Sequence, residues 1–200
     1  MDLAVVGLTF AAIFLVELPD KTFIATLVLA TKYRPLLVWI GVGLAFAVQT
    51  TVAVALGKAA SFLRTDVVHA VSALVFLIGA MILFREARKA DASEADQESE
   101  FAARAGDPKQ GLKAVTASFL ILFAAEWGDL SQLLTLSLVA KYDDPLSVFV
   151  GALGALLAVS GLAVILGRVL LNYIKLRTLH YLGAGVCLLL FAITIYELAT

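Results

Sequence analysis

The chain has 200 residues, 62% of them hydrophobic and only 16% charged, with a mean hydropathy of +0.97. Soluble domains are nearer half apolar and a quarter charged, so this composition belongs to a membrane protein. A formal net charge of -1 without a basic stripe excludes a nucleic-acid binder, and a lone cysteine, Cys187, excludes a disulfide framework or a cysteine metal site within one chain.

A span of the hydrocarbon core takes about 20 mostly apolar residues. Six such runs can be drawn, over residues 3–30, 36–56, 67–84, 114–140, 146–166 and 179–198. The chain opens Met1-Asp2-Leu3 with no basic n-region, and its first apolar run is too long for a signal core. It is therefore read as a retained membrane helix and not as a cleaved signal. The first and fourth runs are the longest, and at 1.5 Å per residue they reach roughly 40 Å, beyond a core of about 30 Å. Those two are expected to tilt, bend or break.

Between the third and fourth runs, Arg85, Arg88, Lys89, Arg104, Lys109 and Lys113 stand among seven acids, and Phe101 is the only aromatic. So few apolar residues cannot build a core, so the segment reads as a solvated linker, part of it helical. The expected organisation is a three-helix unit over 1–84, a charged linker over 85–113, and a second three-helix unit over 114–200.

The two units read as copies. At an offset of 109, Glu17, Asp20, Thr22 and Lys32-Tyr33 meet Glu126, Asp129, Ser131 and Lys141-Tyr142. One inserted residue later, Pro35, Gly41 and Gly57-Lys58 meet Pro145, Gly151 and Gly167-Arg168; after one more, His69 and Glu86 meet His180 and Glu197. Three spans is an odd number, so the second copy is expected upside down relative to the first. With both termini outside, eleven cations fall on cytoplasmic segments (Lys32, Arg34, the six of the linker, Arg168, Lys175, Arg177) and three on external ones (Lys58, Arg64, Lys141). That satisfies the positive-inside rule and places a multi-pass protein in the cell membrane with its linker in the cytoplasm. Inverted repeats of this kind are a transporter architecture, with the site near the midplane between them.

The chemistry concentrates in Glu17-Leu18-Pro19-Asp20-Lys21-Thr22 and Glu126-Trp127-Gly128-Asp129-Leu130-Ser131. An acid at i and another at i+3 share one face of a regular helix. Each isolated charge at a helix centre costs about 2.5–3.5 kcal/mol, so these groups must pair, protonate or bind a cation. Carboxylate, hydroxyl and carbonyl oxygens suit Mg2+, Ca2+ or Mn2+, and neither motif holds a His or Cys that would favour zinc or copper. Pro19 frees the Leu15 carbonyl one turn back, and Gly128 in the matching place permits close approach or unwinding. Thr22 and Ser131 offer hydroxyls, off the glutamate's face if the helix is regular; Gln49 and Gln132 are further oxygen donors. Cation and protons competing for the same carboxylates is the minimum an antiporter needs.

Other features have plainer readings. Lys21 stands four residues after Glu17 and either neutralises it or snorkels toward the cytoplasmic interface. His69 and His180 read as residues of span ends, Trp39 and Trp127 as packing or belt residues, and the glycines of 41–43 and 151–154 as helix contacts.

Two copies of Glu-x-Gly-Asp-Lys/Arg-Ser/Thr in a six-span chain resemble the Gdt family of cation/proton exchangers, whose members include MneA-type bacterial manganese exporters. The resemblance covers the whole chain. It implies that Glu17, Asp20, Glu126 and Asp129 bind the cation, with Lys21, Thr22 and Ser131 as motif members. Two positions depart from the motif: Pro19 replaces its glycine, and Leu130 its second basic residue. The expectation is an all-α, inverted-repeat antiporter that exports Mn2+, or Ca2+, against protons by alternating access. It would have no prosthetic group and no enzymatic activity; its partners are the bilayer, the divalent ion and protons, with a homo-oligomer left open. An exporter of small organic solutes such as amino acids, and a non-transporting membrane subunit or metal sensor, stand as alternatives.

Overall fold

The computed structural model describes residues 1–18, 20–173 and 176–199, and of residues 90–95, 166–173 and 176 the backbone alone. Pro19 and Lys175 lie outside the described residues. The chain runs through α1 (Leu3–Glu17), α2 (Lys21–Lys32), α3 (Pro35–Ala60), α4 (Thr65–Ala87), α5 (Ala90–Ala105), α6 (Leu112–Ala125), α7 (Leu130–Tyr142), α8 (Pro145–Tyr173) and α9 (Leu176–Ala199), with no strand among the described residues. Local signals set several ends. The Asp2 carboxylate caps α1 by accepting from Ala4 N–H at 2.8 Å, and Pro35 opens α3 after an extended Arg34. Asp143, in the left-handed region at φ 49°, stops α7.

Helices α3, α4, α8 and α9 are each long and apolar enough to cross a membrane. The first and fourth apolar runs are broken spans: α1 and α2 meet at 70°, and α6 and α7 at 72°. The chain thus has four candidate spans, or six if each bent pair counts as one. The excess length of those two runs is resolved by breaking, and both breaks fall at the acidic motifs.

The core interleaves the two halves of the chain. Helix α3 packs on α6 and α7, α8 packs on α1 and α2, and α4 packs along α9. Glycine makes the closest approaches. A Cβ on Gly41 would collide with the Val115 carbonyl and Ser118 of α6; one on Gly151 would stand 2.6 Å from the Val6 carbonyl and 2.9 Å from Thr9 Cβ of α1. Those partners match at the same offset of 109 as the acidic motifs, so the two halves use equivalent residues for their tightest contacts. The α4–α9 pair is placed unevenly. Helix α4 rests on α7 and α9 on α1, whereas neither packs extensively on α2 or α6 among the described residues. Helices α4 and α9 therefore cover the breaks on the side of α1 and α7, while on the side of α2 and α6 it is the linker helix α5 that packs.

The linker is not merely solvated, which corrects the reading from composition. Its helix α5 lies on α2, and Phe101 and Ala105 join the hydrophobic core. The last carbonyls of α5 lack helical partners of their own. Lys32 Nζ donates to those of Ala102 at 2.5 Å and Gly106 at 3.1 Å, and Tyr33 Oη donates to that of Ala105 at 2.5 Å. A cation and a hydroxyl at a helix C-terminus offset its negative end. One aromatic at the right place, with this cap, docks a helix otherwise too polar to bury itself.

Candidate metal centre

Each acidic motif straddles a helix break. Glu17 is the last residue of α1 and Asp20 caps α2; Glu126 follows α6 and Asp129 caps α7. This corrects the expectation that each pair lies on one face of a continuous helix. The turns are short: Asp20 N–H donates to the Glu17 carbonyl at 3.0 Å, and Asp129 N–H to the Glu126 carbonyl at 3.3 Å. In the second break Gly128 has φ +76°, a left-handed conformation that a side chain would strain. The N-termini of α2 and α7, the positive ends of their dipoles, open beside the acids, and the C-termini of α1 and α6 end there.

The four carboxylates converge. Glu17, Asp20, Glu126 and Asp129 each offer one oxygen, and these four atoms all lie within 4.8 Å of one another. Divalent ions with oxygen ligands bind at about 2.0–2.6 Å, so opposite ligands stand about 4–5 Å apart. The spacing fits one such ion. Glu17 is 0% exposed and Glu126 3% exposed, while the two aspartates are partly exposed. Glu17 Oε2 and both carboxylate oxygens of Glu126 are buried with no hydrogen-bond partner among the described residues. Buried polar atoms are nearly always bonded. Three such carboxylate oxygens at one place, among the described residues, make the cluster a candidate site for a partner that is not protein.

Around this centre the remaining predicted residues take different parts. Thr22 Oγ1 donates to Glu17 Oε1 at 2.7 Å, a contact across five residues that a regular helix forbids and the break allows. Ser131 bonds to its own cap, its N–H and Oγ both donating to Asp129 Oδ2 at 3.3 Å, and its hydroxyl also acts on the Glu17 carboxylate across the centre. Gln132 and Gln49 hold backbone. Gln132 Oε1 accepts from Gly128 N–H at 2.8 Å, its Nε2 donates to the Gln49 carbonyl at 3.4 Å, and Gln49 Nε2 donates to the Phe123 carbonyl at 3.1 Å. Both glutamines, with Thr50, Ser131 and Thr135, line a narrow pocket that reaches Glu126. The Leu15 carbonyl lies at the α1–α9 contact, 3.1 Å from where a Cβ of Gly183 would stand. Lys21 is half-buried within electrostatic reach of all four acids, Glu126 foremost, and makes no ion pair within 4 Å among the described residues.

One model of a known protein family, that of the divalent cation/proton antiporter GDT1, matches residues 5–91 and 114–200. The chain belongs to the GDT1 family. Protein PAM71 of the Arabidopsis thaliana chloroplast is 30% identical over 96% of this chain, which spans only 56% of that relative's length. A GDT1-like protein of Synechocystis sp., sll0615, is 31% identical over 88% of this chain and 89% of its own length. A GDT1-like protein of Schizosaccharomyces pombe, C186.05c, is 27% identical over 94% of this chain and 87% of its own. No solved structure matches significantly.

Within this GDT1-family chain the departure at Leu130 has a packing cause. Leu130 Cδ1 stands 2.9 Å from where a Cβ of Gly79 would be, and Cys187 Sγ of α9 stands 3.4 Å from the same point. The second copy thus places an apolar plug between α7, α4 and α9 where the first places Lys21. Two features escaped sequence reasoning. The docking of α5 is signalled only by Phe101, Ala102 and Ala105 at helical spacing, followed by Gly106. The facing of Glu86 and His180, 3.6 Å apart across α4 and α9, joins two elements distant in sequence.

Proposed function

We propose that this chain exports a divalent cation, Mn2+ first and Ca2+ second, in exchange for protons, at a single site formed by Glu17, Asp20, Glu126 and Asp129. The observation that carries the reading is the cluster of four carboxylate oxygens within 4.8 Å, three carboxylate oxygens of Glu17 and Glu126 being buried without hydrogen-bond partners among the described residues. Membership of a divalent cation/proton antiporter family supports the reaction class. An oxygen-only donor set supports a hard ion; the order of Mn2+ before Ca2+ follows the resemblance to manganese exporters.

The mechanism follows from the chain's own groups. Bringing four carboxylates together in a membrane is unfavourable unless their charge is neutralised. A divalent ion does this by bridging them; protons do it one carboxyl at a time, so each occupant displaces the other. The helix ends carry the geometry, with two N-termini and two C-termini meeting at the centre as in broken-helix transporters. Two inverted three-helix repeats, joined by a cytoplasmic linker, would supply alternating access by rocking. Three observations favour that arrangement: separate family matches to the two halves, the paired breaks, and the matched glycine contacts. On this reading, the seating of α4 and α9 on α7 and α1 would belong to a state closed away from the linker side.

The test is flux. In reconstituted vesicles under an imposed proton gradient, the unmodified chain should move Mn2+, and Glu17→Gln or Glu126→Gln should abolish it. Flux unaffected by either substitution would overturn the assigned site. Movement of an amino acid without Mn2+ competition, or metal binding without flux, would overturn the function.

A further inference from the structure

The α4–α9 pair carries an ionisable couple at each end, and the two couples differ in kind. At the end nearer the linker, His180 Nε2 lies 3.6 Å from Glu86 Oε2; His180 is buried, while about half of the Glu86 side chain is exposed. At the opposite end, Lys141 Nζ lies 2.9 Å from Glu197 Oε2 and donates to Thr194 Oγ1 at 2.9 Å, with only 2% of its side chain exposed. Glu86 and Glu197 hold corresponding positions in the two halves, as do Lys32 and Lys141. Lys32 is not on Glu86, however; it is held by the α5 carbonyls of Ala102 and Gly106. The docked linker thus engages the lysine, and Glu86 faces a histidine instead.

That exchange of partner changes what the couple can do. A lysine with an ordinary value of about 10.4 stays charged at physiological pH, whereas an imidazole near 6.5 gains and loses its proton there. The linker-side couple lies one helical turn toward the linker from Gly183, where a Cβ would stand 3.1 Å from the Leu15 carbonyl, 3.1 Å from Leu83 and 3.5 Å from Val16 at the end of α1. The charges of Asp129 and Lys21 both act on Glu86. Among the described residues, the other ionisable groups at these helix ends are Arg85, Arg88, Lys89, Arg177 and Tyr181. Arg88 lies over Phe84, and Arg177 over Tyr181, which itself packs edge-on to Phe84. Helix α1, also packed on α9, contributes no ionisable group but Glu17, and α5 meets α9 only lightly.

We propose that Glu86 and His180 form a proton relay between the four-carboxylate centre and the linker side of the membrane. The relay rests on the exchange reading above. A proton displaced from the centre when the cation binds enters the His180 imidazole or the Glu86 carboxylate and leaves to solvent from Glu86. Each step breaks one O–H or N–H bond and forms another, and no electron moves. The Lys141–Glu197 couple is a fixed tie between α7 and α9, and no proton passes through it.

The experiment reconstitutes the full chain in vesicles enclosing a pH-sensitive dye and follows proton movement driven by added Mn2+, with Mn2+ affinity measured separately by calorimetry. For Glu86→Gln and His180→Gln the affinity should be unchanged, while the coupled proton flux falls by at least about tenfold, as expected on losing a positioned proton-transfer group. His180→Gln should also flatten the pH dependence of the rate between about pH 5 and 8. Glu86→Asp should retain most of the flux. If the unmodified chain moves no protons with Mn2+, the exchange reading falls and the relay with it. If it does, and both glutamine variants match its rate and pH profile, the relay alone is overturned. Loss of Mn2+ affinity together with flux would assign the couple to holding α4 on α9, and would likewise overturn the relay.

Discussion

At the first break Thr22 reaches back to Glu17; at the second Ser131 bonds to Asp129, and neither oxygen of Glu126 has a hydrogen-bond partner among the described residues. The same contrast runs through the flanking residues, since the half-buried Lys21 of one copy is replaced by Leu130, packed toward Gly79, in the other. Two copies of one motif thus make unequal halves of one centre. In the first half one glutamate oxygen is already held by its own hydroxyl, while Lys21 acts most on Glu126 of the second half. The second presents a buried carboxylate with no hydrogen bond among the described residues, the more costly arrangement until a cation or proton neutralises it.

Putting the missing basic residue into the second half is the strongest way to break this contrast. Leu130→Lys would place an ammonium in the apolar contact between α7, α4 and α9, at a cost of about 2.5–3.5 kcal/mol by the scale for a charge at a helix centre. Thermal unfolding in detergent should show the loss. A variant as stable as the unmodified chain would mean that the lysine reaches the acids and that the halves are interchangeable.

The two hydroxyls sharpen it next. Thr22→Val strips Glu17 of the Thr22 hydroxyl, which should cost about 1–3 kcal/mol and lower Mn2+ affinity by about 10-fold, the low end for a group that orients a ligand. Ser131→Ala leaves the Ser131 N–H still donating to Asp129, so its effect should be nearer 1 kcal/mol or below. Calorimetric affinities for the pair check the ranking; equal losses would contradict the inequality.

The smallest effect is expected away from the centre, where Lys58 Nζ donates to Asp143 Oδ1 at 2.6 Å at the ends of α3 and α7. That bond, helped by one from Ser61, holds the Asp143 carboxyl below the usual carboxylate range. A lowered folded-state value contributes stability that is present above the unfolded value of about 3.9 and is lost as pH falls through the lower folded one. The pair is exposed, so the contribution is small. The difference in Tm between Asp143→Asn and the unmodified chain should hold steady from about pH 5 to 8 and begin to shrink only as pH falls below about 4.

Much of this arrangement is written in residues that can be read without coordinates. The surplus length of the first and fourth apolar runs announced spans that could not stay straight, and the acids inside them marked where a site must be. What failed was geometry that depends on the break itself. Glu17 and Asp20 share a face, and Thr22 falls off it, only if the helix is regular, and helical periodicity does not carry through a turn where the helix stops. Gln49 and Gln132 read as oxygen donors from the sequence; Gln132 Oε1 accepts from Gly128 N–H, while Gln49 holds the Phe123 carbonyl through its Nε2 and lines the pocket at Glu126. The docking of α5 and the facing of Glu86 and His180 are long-range pairings, with no local periodicity to betray them.

The central claim is that one ion sits among four carboxylates drawn from both breaks. Crystals soaked in Mn2+ and measured at the manganese edge test it most directly. The account predicts one strong anomalous peak about 2.0–2.6 Å from oxygens of Glu17, Asp20, Glu126 and Asp129. An ordered manganese bound elsewhere, with these four carboxylates left without one, would contradict it.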